Sequence, residues 1–203
     1  MGRTTIEAID SYLTDMLALE EHIEKAVAAQ LRAFRDDYHA LGQELQEILY
    51  TLNRHILTIR AYTETRQTGA TESVAKTVKR AAATIVGLAA AAVDLVRTEQ
   101  LPKDLRDDYT AFSLASIGYL MLLTTAKSLG DAQTAEIAQR HFADYAQMTI
   151  RLHNLVPATV ISLLKEEGLP ASDTVLPEIR QIIDEVWTSG APDRPGADEL
   201  QVR

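Results

Sequence analysis

The chain contains no cysteine. Disulfides, thiolate metal sites and cysteine nucleophiles are therefore excluded, and a reducing, cytoplasmic setting is expected. Glycine and proline are scarce, nine and six in 203 residues, and they fall at joints between segments of helical period. No convincing period-2 apolar run is present, so strands are not expected. Positive charge is also in deficit: 20 Lys and Arg face 29 Asp and Glu, for a net charge of −9. Nucleic acid and anionic membranes need a concentrated basic surface, so neither is expected as a partner. The opening MGRTTIEAIDSY has no apolar core and carries acids early, unlike an export signal. Its first residues match the short myristoylation outline, a pattern common enough to carry little weight.

What is present is helical pattern almost throughout. Long helices are predicted at about 4–37, 41–66, 72–100, 103–129 and 132–156, and short ones at about 158–167 and 175–188. The break TGAT offers Thr71 as an N-cap, Pro102 separates two helices, and Gly130 followed by Asp131 reads as a C′ glycine and the next N-cap. Pro157 suits the first turn of a new helix and Gly168 its end. Helices this long with short joints favour a bundle. The expected organisation is a bundle over 1–168, a short C-terminal helix packed on it at 169–188, and a flexible tail at 189–203. Residues 109–126, YTAFSLASIGYLMLLTTA, carry no charge. Eighteen residues is the lower limit for a membrane span, but Ser, Thr, Gly and Tyr dilute this run, so no span is predicted. A helix apolar on most sides is buried on two. One side faces the core, and the other an extra helix or a second subunit. The small-residue stretch 81–93 is a natural cover.

Projected at about 100° per residue, the first helix shows a stripe of Ile6, Ile9, Leu13, Met16, Leu17, Ile23, Val27, Leu31 and Phe34. Glu20 falls near its middle, Glu24 near its edge, and Glu21 and His22 off it. Burying a carboxylate costs several kcal/mol unless it is paired, so an inward Glu20 requires a partner. One reading is structural: a tyrosine hydroxyl, an arginine or water holds it. The other is a metal-ligating or proton-handling carboxylate. The second helix has Leu41, Leu45, Ile48, Leu52, Ile56 and Ile59 as its stripe, with His55 at the flank. The 103–129 stripe runs through Leu105, Tyr109, Phe112, Ser116, Tyr119 or Leu120, Leu123 and Ala126. The 132–156 stripe is Ala138, Phe142, Tyr145, Thr149 and Leu152, with His141 and His153 beside it. Inward Tyr109, Tyr119 and Tyr145 are expected to form a buried polar network with Glu20.

Four stretches resemble the ferritin-like superfamily, in particular the YciE/YciF-like bacterial ferritin-like proteins: DMLALEEHIEKAV, LYTLNRHILTIRAY, GYLMLLTTAKSLGD and the intervening TIVGLAAAAVDLV. The likeness spans about 10–156. It implies an all-α, up-down four-helix bundle with a crossover helix, often dimeric, and an iron- or stress-related role. It also implies a di-iron or di-manganese site, built from a Glu on each of two helices and Glu-x-x-His on each of two others. Here the chain departs: it contains no E-x-x-H, and DDYH at 36–39 is the nearest approach. Thr51 stands where the second helix would carry an acid, and Phe112, Ser113 and Ala115 where the third would carry acid and histidine. On the last helix only Asp144 is near the expected place, pointing sideways. Glu20 and His55 are the matches, and two ligands cannot hold two divalent cations.

The function expected is therefore a bundle protein lacking a complete di-metal centre, non-catalytic and structural, interaction- or stress-related. It would form a homodimer or higher homo-oligomer through apolar helix faces, with no cofactor. The alternative is an iron- or manganese-binding oxidoreductase or iron-handling protein with a reduced site at Glu20, Glu24 and His55. A third is an apolar ligand pocket lined from the 103–129 and 132–156 helices. No phosphate loop, H-E-x-x-H or triad context is present.

Overall fold

The computed structural model describes residues 4–34, 38–67 and 100–189, and within them the chain is all-α, without strands. Four long helices come first: α1 (Thr5–Phe34), α2 (His39–Gln67), α3 (Gln100–Leu129) and α4 (Ala132–Glu166). A 3-10 turn, Asp173–Val175, leads into α5 (Leu176–Ser189). The chain divides into two compact units, Met1–His153 and Asn154–Arg203. The helix predicted at 72–100, with its small-residue stretch, and the tail predicted at 189–203 lie outside the described residues, apart from Gln100 and Ser189 at their edges.

Local chemistry sets the helix ends. Thr4 and Glu7 form a reciprocal capping box: the Glu7 amide donates to Thr4 Oγ1 (3.2 Å) and the Thr4 amide to Glu7 Oε2 (2.8 Å). Gly130, at φ +75°, ends α3 with the Asp131 amide donating back to the Ala126 carbonyl (2.9 Å), a Schellman closure. Asp131 then caps α4 by accepting from the Thr134 amide (2.9 Å). Two proline expectations are corrected. Pro102 lies inside the first turn of α3, where a missing N–H is tolerated. Pro157 lies inside α4, which continues to Glu166. Pro157 costs α4 one ladder bond but does not end it. In the C-terminal unit, Gly168 (φ +78°) terminates α4 and Lys165 pairs with Asp173 (2.5 Å).

Apart from Asp10, Leu19, Gly42, Ile56, Ala135 and Ile137, the buried residues of the N-terminal unit follow steps of four and three. On α1 they are Ile9, Leu13, Met16, Glu20, Ile23 and Val27, and on α2 Leu41, Leu45, Ile48, Leu52, His55, Ile59 and Tyr62. On α3 they are Leu101, Leu105, Asp108, Phe112, Ala115, Tyr119, Leu122 and Ala126, and on α4 Thr134, Ala138, His141, Tyr145, Met148 and Leu152. This is a seven-residue repeat, the spacing that keeps one stripe of a helix turned toward its neighbours. A straight wheel at 3.6 residues per turn drifts about 20° per heptad against such a seam. That drift takes Leu17 and Leu31 off the seam, where they are half-buried, whereas Ile6 and Phe34 lie on the seam but at the two ends of α1, where Ile6 is exposed and Phe34 half-buried, although the projection counted all four inward.

Polar cross-links give the helix directions. Asp10 pairs with Arg66 and Glu21 with Arg60, so α1 and α2 are antiparallel. Gln30 bonds Asp108 while Glu20 bonds Tyr119, so α1 and α3 are antiparallel too. Glu44 pairs with Arg151 and Arg54 with Asp144, which sets α2 antiparallel to α4. Helices α2 and α3 thus run the same way, and the end of α2 and the start of α3 lie at opposite ends of the unit. At one end Arg66, mostly buried, joins Asp10 (2.7 Å), Asp131 (2.7 Å) and the Tyr62 hydroxyl (3.1 Å). Burial alone would lower the Arg66 pKa, but these partners outweigh it and raise it. They likewise hold the Asp131 carboxyl low: burial pushes it up, and Thr134 and Arg66 more than offset that.

Among the described residues α3 is the one helix long and apolar enough, by length and composition, to cross a membrane, and core helices pass the same test. Its seam is buried, while Leu114, Ile117 and Met121 on another face are about half exposed.

Asp108 is a buried acid with meagre compensation. Its Oδ1 accepts from Gln30 Nε2 (3.0 Å), while its Oδ2 and the Gln30 Oε1 have no partner. Burial pushes its carboxyl up to about 7, against the Gln30 bond and with help from Asp104 and Asp107. Burial, with Asp107, also raises Asp104 to about 6. The folded state therefore holds these protons more tightly than the unfolded chain. The stabilisation is fully present below about pH 4 and is lost as pH rises through 6 to 7. The Asp108→Asn variant is expected to flatten that loss. It should exceed the parent's stability at pH 8 by on the order of 2–4 kcal/mol, with no gain near pH 4. Urea melts at the two pH values test this; an equal shift at both would contradict a titrating Asp108.

Candidate functional site

Midway along the N-terminal unit the apolar seam is interrupted by one polar layer. Glu20 of α1, His55 of α2, Tyr119 of α3, and His141 and Tyr145 of α4 are each at most 1% exposed. Each occupies a seam position, so the heptad pattern that buries leucine elsewhere points these side chains at one another. Close approach of α1 and α3 one turn away helps set the level: a Cβ on Gly118 would lie 2.5 Å from Met16 Sδ.

Glu20 is the hub. Its Oε1 accepts from the Tyr119 hydroxyl (2.5 Å) and faces His55 Nδ1 (3.0 Å), and its Oε2 accepts from the Tyr145 hydroxyl (2.8 Å). Burial and the Glu20 charge raise both phenol pKa values well above the ordinary range, so both hydroxyls keep their hydrogens and donate. Because Tyr119 donates to Glu20, its oxygen accepts from His141 Nδ1 (2.9 Å). His141 is neutral: burial, then the charges of His55, Arg140 and Arg54, push it down to about 2. With its hydrogen on Nδ1, its Nε2 carries the lone pair.

His55 stands between two carboxylates. Its other nitrogen, Nε2, lies 2.9 Å from Asp144 Oδ2, and the same oxygen pairs with Arg54 Nη2 at 2.6 Å. Ionised carboxylates only accept, so both contacts call for hydrogen on both ring nitrogens. The result is a line of linked polar groups, Glu20, His55, Asp144 and Arg54. It runs from the core to half-exposed Arg54. The His55 and His141 rings stack, centroids 3.8 Å apart at 13°.

Glu20, His55 and His141 each offer a ligand atom within 4.8 Å of the others, a group able to hold a metal ion. Among the described residues it is the one such group of three. The sequence-predicted site is thereby revised. Glu20 and His55 are brought together, but Glu24 lies half-buried beside the seam, outside the group. His55 is not at a flank; it is fully buried in the seam. Tyr119 and Tyr145 bond Glu20, but Tyr109 does not: it sits ten residues, about 15 Å, along α3 from Tyr119, half-buried, with its ring 6.0 Å from His153. His141 was placed beside the stripe and is in the seam; its spacing of three from Ala138 and four from Tyr145 is the signal. Asp144 does point sideways, and that direction takes it to His55. A groove of about 650 Å³ at the α3–α4 turn is lined by Ala126, Ala135 and Ala143 together with Lys127, Glu136 and Arg140.

No protein-family model matches this chain, and no curated protein matches it.

The layer makes a graded prediction. Tyr145→Phe removes one donor from Glu20 and is expected to cost about 1–3 kcal/mol. Tyr119→Phe removes a donor from Glu20 and an acceptor from His141, and should cost more. Denaturant unfolding of the two variants compares them; equal costs would contradict the relay through Tyr119.

Proposed function

We propose that this chain is a ferritin-like four-helix bundle without a complete di-metal centre, whose core holds a single divalent cation on Glu20, His55 and His141. Its role is to bind, stabilise or store, not to turn over a substrate. The observation that carries the reading is the convergence of one carboxylate and two imidazoles from three helices, all fully buried. That donor set suits first-row divalent ions such as iron, manganese or zinc. Three donors complete one ion's inner shell with room for one or two further ligands, and are too few to bridge and charge-balance two ions. A bound ion would supply the positive charge that His55 otherwise brings to Glu20. Burial of all three residues supports a holding role, since a reaction needs a path for substrate.

The ferritin-like part rests on helix order. The directions up, down, down, up require one long connection between α2 and α3, as in bundles with a single crossover. A homodimer or higher homo-oligomer belongs to this reading, supported by the outward Leu114, Ile117 and Met121 of α3, as does an iron- or stress-related role in the cytoplasm.

A second reading is favoured by a specific observation: both Glu20 oxygens are already hydrogen-bonded within the layer. In that case the layer is a structural lock, with a proton on His55 where the ion would sit. Elemental analysis of protein grown with added iron and manganese separates the two. The single-ion reading expects about one ion per chain, lost in Glu20→Gln and His141→Ala. No ion in the parent protein, and no shift of its melting temperature by manganese, zinc or ferrous iron, would leave the structural lock.

A further inference from the structure

Resting on the single-ion reading, we infer that Asp144 is a positioning residue for the ion: it selects the His55 tautomer that turns a lone pair on Nδ1 toward Glu20. A neutral imidazole has one N–H and one lone pair, and only one of its two tautomers serves here. The Asp144 carboxylate, 2.9 Å from Nε2, accepts and cannot donate. When an ion takes the place of the Nδ1 hydrogen that Glu20 Oε1 otherwise accepts at 3.0 Å, Asp144 keeps the remaining hydrogen on Nε2 and leaves Nδ1 as the ligand atom. A carboxylate behind a ligating histidine is a recurrent arrangement that orients the ring and raises its basicity. Arg54, 2.6 Å away, anchors Asp144. The ring itself has little freedom to turn, being fully buried and stacked on His141.

Asp144 also differs from every other member of the layer in exposure. Its side chain is 29% exposed while that of His55 is 0%. What a charge does here is polarise the imidazole from behind.

The test titrates the full chain with Co(II), and follows the Zn(II)-loaded protein by imidazole nitrogen–proton correlation spectra. Asp144→Asn keeps shape, but its amide can present either a carbonyl or an N–H to the ring, so the tautomer is no longer selected. The Co(II) Kd is expected to rise about 10–100-fold. The Zn(II)-loaded parent should show a single Nε2–H form of His55, and in Asp144→Asn that proton signal should move upfield as the bond to a carboxylate is lost. Arg54→Gln leaves the carboxylate in place, and its Kd should fall between the two. It also serves as the second variant should Asp144→Asn not fold, which the melt of the metal-free protein reports. An unchanged Co(II) Kd in a folded Asp144→Asn, or an Nδ1–H form of His55 in the Zn(II)-loaded parent, overturns the inference while leaving the single-ion reading intact. A parent chain that binds neither Co(II) nor Zn(II) overturns both.

Discussion

A carboxylate with no exposed surface, in the middle of four helices, is the constraint around which the N-terminal unit is organised. Left alone, the Glu20 charge would cost several kcal/mol. It is tolerated because each of the other helices brings it a donor: His55 from α2, Tyr119 from α3 and Tyr145 from α4. Charge-assisted bonds of this kind are worth roughly 1.5–3 kcal/mol each, enough together to offset burial. The arrangement fixes more than energy. Glu20 has one height on α1, so each donor must arrive at that height, and the axial register of all four helices follows. Apolar seams alone leave that register loose, since Leu, Ile and Met can be exchanged for one another at small cost.

The unit contains a second buried acid that is treated in the opposite way. Asp108 receives one amide hydrogen bond, leaves one oxygen unpartnered, and has acids one turn away and beside it. Its burial is accommodated by taking up a proton. Glu20 is accommodated by donors and a neighbouring cation. The difference separates the two ends of α3. Near Asp108 the core depends on pH around neutrality, whereas the Tyr119 layer is built of groups whose shifts keep phenols protonated and His141 neutral across the ordinary range.

The all-α class, the long helices, the Gly130–Asp131 joint and an inward Glu20 were all legible in the sequence. They depend on local chemistry: capping types, a glycine free to adopt positive φ, and the polarity contrast between faces. His141 and the burial of His55 were less legible, because the wheel assumes a straight helix and the seam repeats every seven residues. On that wheel His141 falls about 60° from Ala138 and about 40° from Tyr145, which sets it beside the stripe. Pro157 misled for a different reason. A proline marks a weakened point in a helix, and whether the helix stops there depends on the residues around it. Tyr109 and Glu24 were assigned by face without regard to height along the axis, and height decides which side chains meet.

The same point explains why a search for Glu-x-x-His says so little here. That motif places two ligands one turn apart on a single helix, and two helices so equipped, with one Glu from each of two others, make a two-ion site. This chain distributes its polar residues differently, with one or two per helix at a common level: Glu20, His55, Tyr119, and His141 with Tyr145. The seam positions immediately before and after are Met16 and Ile23, Leu52 and Ile59, Ala115 and Leu122, and Ala138 and Met148. A slide of any helix by one heptad would bury a charged or hydroxyl group against methyl groups, leaving its partners unsatisfied at the same time. The layer is thus thin along the axis and complete across it. Such geometry lets one central charge, whether a proton on His55 or a bound cation, be felt by every helix at once.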